Sequence, residues 1–587
     1  MSTLSPMQLR RHLVDTLQLI QSQASPSRTE REKAGHFLLN LAPKKAWYPF
    51  LLKELETCQN SQHKRLEAIT DLIMEIGELD ALQKPLYALV ANPNVADDVK
   101  DVIHIMLRSL GDEVDPEFFF ENMKDPDALL EREALRVFEM AEENPDAMTE
   151  FLDAFLEVPA EELFDILSSI EGSVPAKSIV NFALPLLLLG TSLPKLRIWL
   201  LKSLGNSGHI LAAWGIYNRY FKYPSTHKIP LNERKEAEIA LKKMQLAGVY
   251  HTNETAKLDA MSQIPPSWAS NIKKQDAYCT HISVEGIQVL LLVSEWQNGD
   301  FALFLIYTSD QTGIVDAVVQ NYLTKAEMKR WMIHFDDNED RLLMPLPEFR
   351  KKLLARERLT FEKGEPFPYV FMAWRSLLFT LDQGDQLTSM QHCATWQNDK
   401  YKNETYTLIH EDAFDDWSLK ESDSEGLSPH FDALVDEWQA LCEDLQKTDI
   451  ANADPFEAND EDRSSPYKSP SVFIEYLDTW CAKVKHVLEE SGYAQVLKER
   501  LADVACLYRW QRQRKIPALI ATEIAQFEEP LHSQRFLTQL IRRSALYKIE
   551  DSCEKNLEKM HYFAKFTNLL DQEWGYLPVK VFERMLK

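Results

Sequence analysis

The chain has little glycine, and this scarcity restricts the folds and sites that it can form. Its 587 residues include 17 glycines, about 3% against a usual level of roughly 7%. Turn-rich β folds need glycine at left-handed positions, and nucleotide sites use glycine-lined loops to approach phosphate. Neither GxxxxGK[ST] nor GxGxxG occurs in the sequence. We therefore expect neither an all-β fold nor a nucleotide-driven enzyme.

Cysteine pairs, long apolar runs and a leader are also lacking. The seven cysteines are odd in number, spread from Cys58 to Cys553, and form no CxxC pair, so neither a disulfide framework nor a zinc ribbon is expected. The most apolar stretch, Phe182–Gly190, contains Pro185 and is much shorter than the roughly 20 residues of a membrane span. Residues 1–13 have no signal-peptide pattern. These features predict a cytoplasmic protein without a membrane segment, and a buried helix at 182–190.

Basic residues are too few to balance the acidic ones, and the excess lies in two blocks. The net charge is −26. Residues 112–171 contain 20 acidic and three basic residues, and residues 411–462 contain 18 acidic and two basic residues. Both blocks would repel a phosphate backbone, so nucleic acid is not expected there. The charge predicts a protein partner with a basic surface or peptide.

Helical patterning is what the first half of the chain does have. Between residues 30 and 260, apolar residues recur at helical spacing in short segments separated by Pro, Asn-Pro or Gly. The clearest segments end on glycine, the residue that best tolerates a left-handed C-cap. These predicted helices are Arg65–Gly77, Asp98–Gly111 and Lys195–Gly205, with weaker copies at Arg132–Glu143 and Glu161–Glu171. Successive ends lie roughly 28 to 34 residues apart, which leaves room for one helix pair per step.

A helix pair cannot bury its apolar face alone, so neighbouring pairs must stack. With Asn92-Pro93-Asn94-Val95 leading into the helix that ends at Leu110-Gly111, the chain resembles the HEAT/armadillo superfamily over about 200 residues. The resemblance implies an α-solenoid that works as a scaffold or adaptor through its exposed concave face. We expect residues 1–265 to form a HEAT-like helical repeat domain.

Residues 270–385 change character and predict a small α+β domain. Ile287–Val293 and Phe301–Thr308 are apolar runs joined across Asn298-Gly299-Asp300, a strong hairpin signal. Gly313–Val319 is a candidate third strand. Thr324 and Glu327 have the spacing of a capping box that opens a helix.

The last part of the chain is predicted to be helical again. Residues 386–471 form an acidic irregular region and linker, with one helix around Phe431–Leu445. Residues 472–587 predict a helical bundle. Its expected helices include Phe473–Leu488, Tyr493–Gln511, Ile516–Phe527 and Asn556–Leu570. The predicted fold is therefore mainly α: an N-terminal HEAT-like α-solenoid, a small α+β insert with a β-hairpin, and a C-terminal helical bundle.

Motifs that could support chemistry are incomplete. His410-Glu411 begins HExxH, but Phe414 occupies the place of the second histidine. Asp336–Asp340 resembles the start of an EF-hand loop, but Arg341 stands where glycine must turn. The remaining candidates are a zinc site from Cys279, His281, His392 and Cys393, and a serine site in Gly205-Asn206-Ser207-Gly208-His209, which fits an inter-helix turn better. We predict no catalytic, cofactor or metal site.

The function predicted from these features is a non-catalytic protein–protein interaction scaffold that uses an acidic solenoid surface. The candidate partner-binding acids are Glu131, Glu142, Glu143, Glu161 and Glu162. A second candidate surface is the basic cluster Arg509, Arg512, Arg514 and Lys515. This cluster fits a solvated helix end, an acidic or phosphorylated partner, an internal dock for the 411–462 block, or RNA.

The alternative is an enzyme or enzyme subunit with its site in the 270–385 region. Its acids and base would be Asp300, Asp310, Asp316 and His334, because carboxylates near strand ends can transfer protons. Convergence of these side chains in one pocket would favour the enzyme. Acids spread along an open surface would favour the scaffold.

Overall fold

A computed structural model shows that the protein is mainly helical, with a small antiparallel sheet of five strands in the middle of the chain. The structure describes residues 5–22, 28–59, 62–126, 145–156, 159–170, 178–191, 193–223, 229–251, 257–262, 270–338, 341–379, 389–424, 426–450, 470–527, 534–553 and 556–574, and a few single positions between 128 and 174. Within these ranges, none of the helices combines the length and the apolar character needed to cross a membrane.

The N-terminal helices pack around a core of their own. They are α1 (Pro6–Ser22), α2 (Arg28–Leu41), α3 (Lys44–Glu56), α4 (His63–Ile76), α5 (Leu79–Val90), α6 (Asp97–Ser109) and α7 (Pro116–Asn122). Their buried apolar side chains form one cluster that extends from Leu9 to Phe119. Helix α2 contacts α4, α3 contacts α5, and α4 contacts α6. Helices α2, α3 and α4 therefore each pack on the next helix but one in the chain.

The following helices share their core with the sheet. They are α8 (Pro145–Leu156), α9 (Ala160–Ile170), α10 (Val180–Leu189), α11 (Pro194–Ser207), α12 (Ile210–Tyr217), α13 (Leu231–Leu246) and the short α14 (Leu258–Met261). Helix α10 is buried on nearly all sides, as predicted from its apolar run. One cluster of buried side chains extends from Met148 in α8 to Phe379 beyond the sheet. The core is thus continuous across the boundary expected at 265–270.

The sheet consists of β1 (Ile272–Cys279), β2 (Ile287–Trp296), β3 (Phe301–Ser309), β4 (Gly313–Leu323) and β5 (Leu342–Met344), in the order β4-β3-β2-β1-β5. The predicted hairpin of β2 and β3 and the predicted third strand are confirmed. Strands β1 and β5 were not predicted. All neighbouring strands are antiparallel. The hairpin β2–β3 turns at Gly299, whose φ of 88° is unstrained only for glycine.

Helices cover both faces of the sheet. α16 (Leu346–Lys363) and α17 (Tyr369–Leu378) pack on one face, where Phe304 contacts Trp374 at 5.2 Å between ring centroids. α15 (Lys325–Asn338) packs on the other face. The predicted capping box opens α15: the Thr324 backbone N–H donates to Glu327 Oε2 at 2.9 Å, and the Glu327 N–H donates to Thr324 Oγ1 at 3.3 Å. This prediction is confirmed.

The C-terminal helices form a third core. They are α18 (Ser389–Ala394), α19 (Ser428–Ile450), α20 (Pro470–Glu490), α21 (Tyr493–Trp510), α22 (Lys515–Gln526), α23 (Arg535–Cys553) and α24 (Leu557–Trp574). Between α18 and α19 the backbone is irregular apart from short 3-10 turns at Asp399–Tyr401, Thr405–His410 and Asp412–Phe414. Its apolar residues, among them Phe414 and Trp417, are nevertheless buried in the same core as α19 to α24. Of the acidic irregular region and linker predicted at 386–471, residues 451–469 lie outside the described residues.

The predicted helix ends need correction at two glycines. Gly111 has the expected left-handed φ of 95°. Gly77 has an extended backbone with φ of −72°, and Gly205 lies inside α11. The left-handed cap of α11 is Gly208, with φ of 64°. The predicted helix Arg132–Glu143 lies largely outside the described residues.

Candidate functional site

The acidic block 112–171 presents exposed carboxylates on α7 and around it. Asp115 accepts a hydrogen bond from the Glu117 backbone N–H at 3.0 Å and so caps the first turn of α7. Phe119 is buried in the N-terminal core and fixes which face of α7 points inward. Glu117 and Glu121 are exposed, and the Phe120 side chain between them is 53% exposed. Residues three and four apart share a helix face, so an aromatic ring and two carboxylates lie together. We call this group, Glu117, Phe120 and Glu121, the acidic–aromatic face.

The end of α7 is held by buried charges. Lys100 is fully buried and donates from Nζ to the Asn122 carbonyl oxygen at 2.5 Å. The Asp97 carboxylate accepts the backbone N–H groups of Lys124 and Asp125 at 3.1 Å. The Lys100 ammonium hydrogen-bonds to a carbonyl at the end of α7, and the Asp97 carboxylate hydrogen-bonds to the free N–H groups that follow. The backbone polar groups on both sides of this turn therefore have partners. The acidic–aromatic face therefore stands on a fixed support.

The structure describes only part of the predicted acidic site. Glu131, Glu142 and Glu143 lie outside the described residues. Glu161 is exposed in α9, where Glu162 also belongs. The acidic–aromatic face was missed in the sequence, although the run Phe118–Phe120 beside acids is a visible signal: three aromatics in a row on a helix cannot all face inward.

A groove of about 550 Å³ lies between α15 and the outer face of the sheet. Tyr278, Val293 and Phe301 line it from the strands, and Met328 and Met332 line it from α15. Among its lining residues there is no histidine, cysteine or serine. This floor can accept apolar side chains.

The charges around the groove are largely paired. Lys274 Nζ is 2.5 Å from Asp276 Oδ2, and Arg341 Nη2 is 2.9 Å from Asp336 Oδ2. Arg341 also lies over the Tyr278 ring, 4.9 Å from its centroid. The side chain of Asp336, the first acid of the EF-hand-like run, is therefore engaged with an arginine. In the described part of the chain no group of three or more histidine, cysteine or acidic side chains could hold a metal ion.

The acids and base of the enzyme alternative do not converge. Asp300 is buried at the β2–β3 turn, and Asp310 lies at the β3–β4 turn. The nine residues of β3 separate them, about 30 Å at about 3.3 Å per residue. Asp316 is exposed on β4, and His334 is exposed on α15, where its ring meets Trp331. The residues singled out for proton transfer therefore form no common pocket.

Asp310 has a structural partner. Arg500 of α21 is 1% exposed and donates from Nη2 to Asp310 Oδ1 at 2.9 Å. The same guanidinium donates to the Val284 carbonyl and to the Tyr493 hydroxyl. The arginine thus holds two loops of the sheet against the C-terminal helices. Burial lowers the pKa of Arg500, but its Asp310 partner outweighs this and the net shift is upward.

The cluster predicted at Arg509–Lys515 lies where α21 ends and α22 begins. The side chains of Arg509, Arg512, Arg514 and Lys515 are all exposed. Arg509 Cζ lies 5.8 Å from the centroid of the Trp396 ring. Lys515 Nζ is 3.3 Å from Glu404 Oε2. The four cations therefore share one corner of the molecule, which we call the basic corner.

The histidines and cysteines considered for zinc are placed in packing contacts. His392 stacks on Trp396 with 6.4 Å between ring centroids, and His281 meets Tyr508 at 5.8 Å. Cys279 and Cys393 are buried free thiols, and burial raises the pKa of each to about 12. Neutral thiols of this kind are poor metal ligands and poor nucleophiles. Ser207 is the last residue of α11 and donates to the Leu204 carbonyl at 2.7 Å.

Comparison of the chain with protein-family models, with curated proteins and with solved structures finds no match.

Proposed function

We propose that this protein is a non-catalytic interaction scaffold that binds a basic segment of a partner protein. The observation that carries the proposal is the acidic–aromatic face, where the exposed Phe120 ring and the exposed carboxylates of Glu117 and Glu121 lie on one side of α7. A carboxylate attracts the charged group of a lysine or arginine. An aromatic ring can bind the same charged group over its face, or pack against the aliphatic part of the lysine or arginine side chain. The three side chains fit one basic residue and its neighbours.

The surrounding charge supports the same partner. Glu113, Asp115 and Asp125 are exposed close to α7, and Glu161 and Asp165 are exposed on α9. Exposed carboxylates raise the local concentration of a cationic segment and speed its association. Asp300, Asp310, Asp316 and His334 lie apart on the sheet and α15, so they lend no support to the enzyme alternative.

We further propose that the N-terminal helices form a HEAT-like solenoid and that the C-terminal helices form a bundle. The contacts of α2 with α4, α3 with α5 and α4 with α6 support the first, because stacked helix pairs bring alternate helices together. The single core of α19 to α24 supports the second. The buried free cysteines fit a reducing cytoplasm.

The test measures binding of fluorescein-labelled hexa-arginine by fluorescence anisotropy. The double variant Glu117→Gln/Glu121→Gln should bind about five-fold more weakly at low salt and show a flatter salt dependence, because exposed ion pairs are modest and screened. Phe120→Ala should weaken binding at low and high salt alike, because apolar contact is not screened.

The matched control is Asp316→Asn/Glu490→Gln, which removes two exposed acids far along the chain. It should bind like the unaltered protein. Equal losses in both double variants would mean that hexa-arginine responds only to net charge, and the proposal would fail.

A further inference from the structure

At the basic corner, several residues are unfavourable for the helix ends at which they lie. Helix α21 ends in a Schellman arrangement, in which the Gln513 N–H donates to the Tyr508 carbonyl at 3.1 Å and the Arg512 N–H donates to the Arg509 carbonyl at 3.0 Å. The residue in the left-handed position is Arg512, with φ of 64°. Glycine is the usual residue there, and any L side chain is disfavoured by roughly 1 kcal/mol. An arginine at this position makes the turn less stable.

The start of α22 is equally unfavourable. Arg514 occupies its N-cap and makes no capping hydrogen bond, whereas Ser, Thr, Asp and Asn are the residues that stabilise this position. Lys515 follows in the first turn. The N-terminus of a helix carries a partial positive charge, so cations there are repelled. Arg514 and Lys515 thus carry positive charge where the helix N-terminus disfavours it, and Arg512 carries a side chain where the left-handed backbone disfavours one.

The charge of the basic corner is only partly neutralised within the molecule. Among the residues that the structure describes, Lys515 is the member with an ion pair, and its Glu404 partner is half exposed. Arg509 lies on Trp396 and makes a cation–π contact. The chain has a net charge of −26, yet several cations that are not neutralised by ion pairs within the described residues lie together at this exposed corner. Function is expected at sites where residues violate local conformational preferences and no contact within the protein compensates for this.

We propose that the basic corner is a docking surface for a short acidic peptide segment of a partner protein. Carboxylates of such a segment would accept from Arg512 and Arg514 in the charge-assisted geometry that guanidinium groups favour. An extended nucleic acid fits less well, because a polyanion that runs past the corner would meet the Glu404 carboxylate beside Lys515, whereas a short acidic segment can end before it. The proposal is independent of the acidic–aromatic face, since the two surfaces have opposite charge.

The variant Arg512→Gly/Arg514→Ser separates docking from structure. Glycine and serine are the residues that the turn and the N-cap prefer, so the melting temperature should rise by a few degrees. Binding of fluorescein-labelled hexaglutamate at low ionic strength, followed by anisotropy, should weaken by about ten-fold or more. A stabilised protein that has lost its ligand is the result that a purely structural role cannot give.

The control Lys235→Ser/Lys483→Ser removes two exposed cations elsewhere and should leave hexaglutamate binding unchanged. Three results would overturn the proposal: unaltered hexaglutamate affinity in Arg512→Gly/Arg514→Ser, a lower melting temperature in that variant, or tighter binding of a single-stranded oligonucleotide than of hexaglutamate by the unaltered protein. The last result would assign the corner to nucleic acid instead.

Discussion

At the scale of single residues, cations that are buried or partly buried join elements that are distant in the chain. Arg500 binds Asp310 and the Val284 carbonyl, and Lys352 Nζ of α16 is 2.8 Å from Asp503 Oδ2 of α21. Arg375 is 1% exposed, pairs with Glu357 and lies 3.8 Å from the centroid of the Trp214 ring. Removing one member of such a pair leaves the other charge buried and alone.

The Lys352–Asp503 pair leads to a prediction about pH. Burial would raise the pKa of Asp503, but the Lys352 ammonium outweighs it and holds the pKa below its usual 3.8. A carboxyl group with a lowered folded-state pKa stabilises the fold above its unfolded-state pKa. That stability is lost as the pH falls below about 4 and through the folded-state pKa.

Asp503→Asn should therefore destabilise the protein by about 2 kcal/mol at neutral pH and flatten the acid limb of the melting temperature measured against pH. Asp316→Asn changes an exposed acid and should leave both unchanged. If Asp503→Asn retained the full acid dependence, the ion pair would not be the group that titrates.

These residue contacts were beyond prediction from the sequence. Asp310 was chosen because it follows a strand, which is a local property. Its partner Arg500 lies 190 positions further along the chain, and nothing in a helical pattern marks an arginine that turns inward. The basic cluster, by contrast, could be predicted because its members are neighbours in sequence. Its left-handed Arg512 could not, since no glycine signals the turn.

At the scale of elements, close helix packing rather than turn formation explains Gly205. A Cβ at this position would lie 2.8 Å from Ala240 Cα, so α11 and α13 approach more closely than any larger residue allows. Gly205→Ala should destabilise the protein by about 1–3 kcal/mol, because the backbone of α13 must move. Chemical denaturation measures this.

Lys202→Ala in the same helix is the control, because Lys202 is exposed and alanine favours helix. It should change stability by less than about 0.5 kcal/mol. A neutral or stabilising Gly205→Ala would show that α11 and α13 are not in close contact.

The elements that could be predicted are those whose own residues show a clear pattern of apolar and polar positions. Strands β2 and β3 are buried over most of their length and appear as apolar runs with an Asn-Gly turn between them. Strand β1 was missed because its first half, with Lys273 and Lys274, faces solvent and only its end is buried. Strand β5 has three residues, too few for any alternation to appear. Helix α23 was not among the helices predicted by range, although many of its side chains are buried.

At the scale of the whole molecule, four clusters of buried apolar side chains and two charged surfaces organise the described part of the chain. The N-terminal helices have a separate core, whereas α8 to α14 share one with the sheet, and Leu507 of α21 joins that cluster from the C-terminal side. The mainly helical character and the small sheet in the middle of the chain could be predicted from periodicity. The continuity of the core across 265–270 could not, because it depends on contacts between distant segments.

The charged surfaces lie on different parts of this frame. The acidic–aromatic face stands on the N-terminal helices, and the basic corner stands on the C-terminal helices. Under the proposed function, two surfaces of opposite charge on one chain would bind a basic and an acidic segment at the same time. The residues of either surface can be substituted without changing the buried ion pairs.

The most direct test of the proposed scaffold is quantitative capture of partners from a cell extract, followed by mass spectrometry. The unaltered protein, Glu117→Gln/Glu121→Gln and the control Asp316→Asn/Glu490→Gln are compared at low and high salt. We expect a set of proteins with basic segments to be retained by the unaltered protein and the control at low salt, and to be lost both at high salt and in the acidic-face variant. An identical set of partners in all three proteins at both salt concentrations would contradict the account.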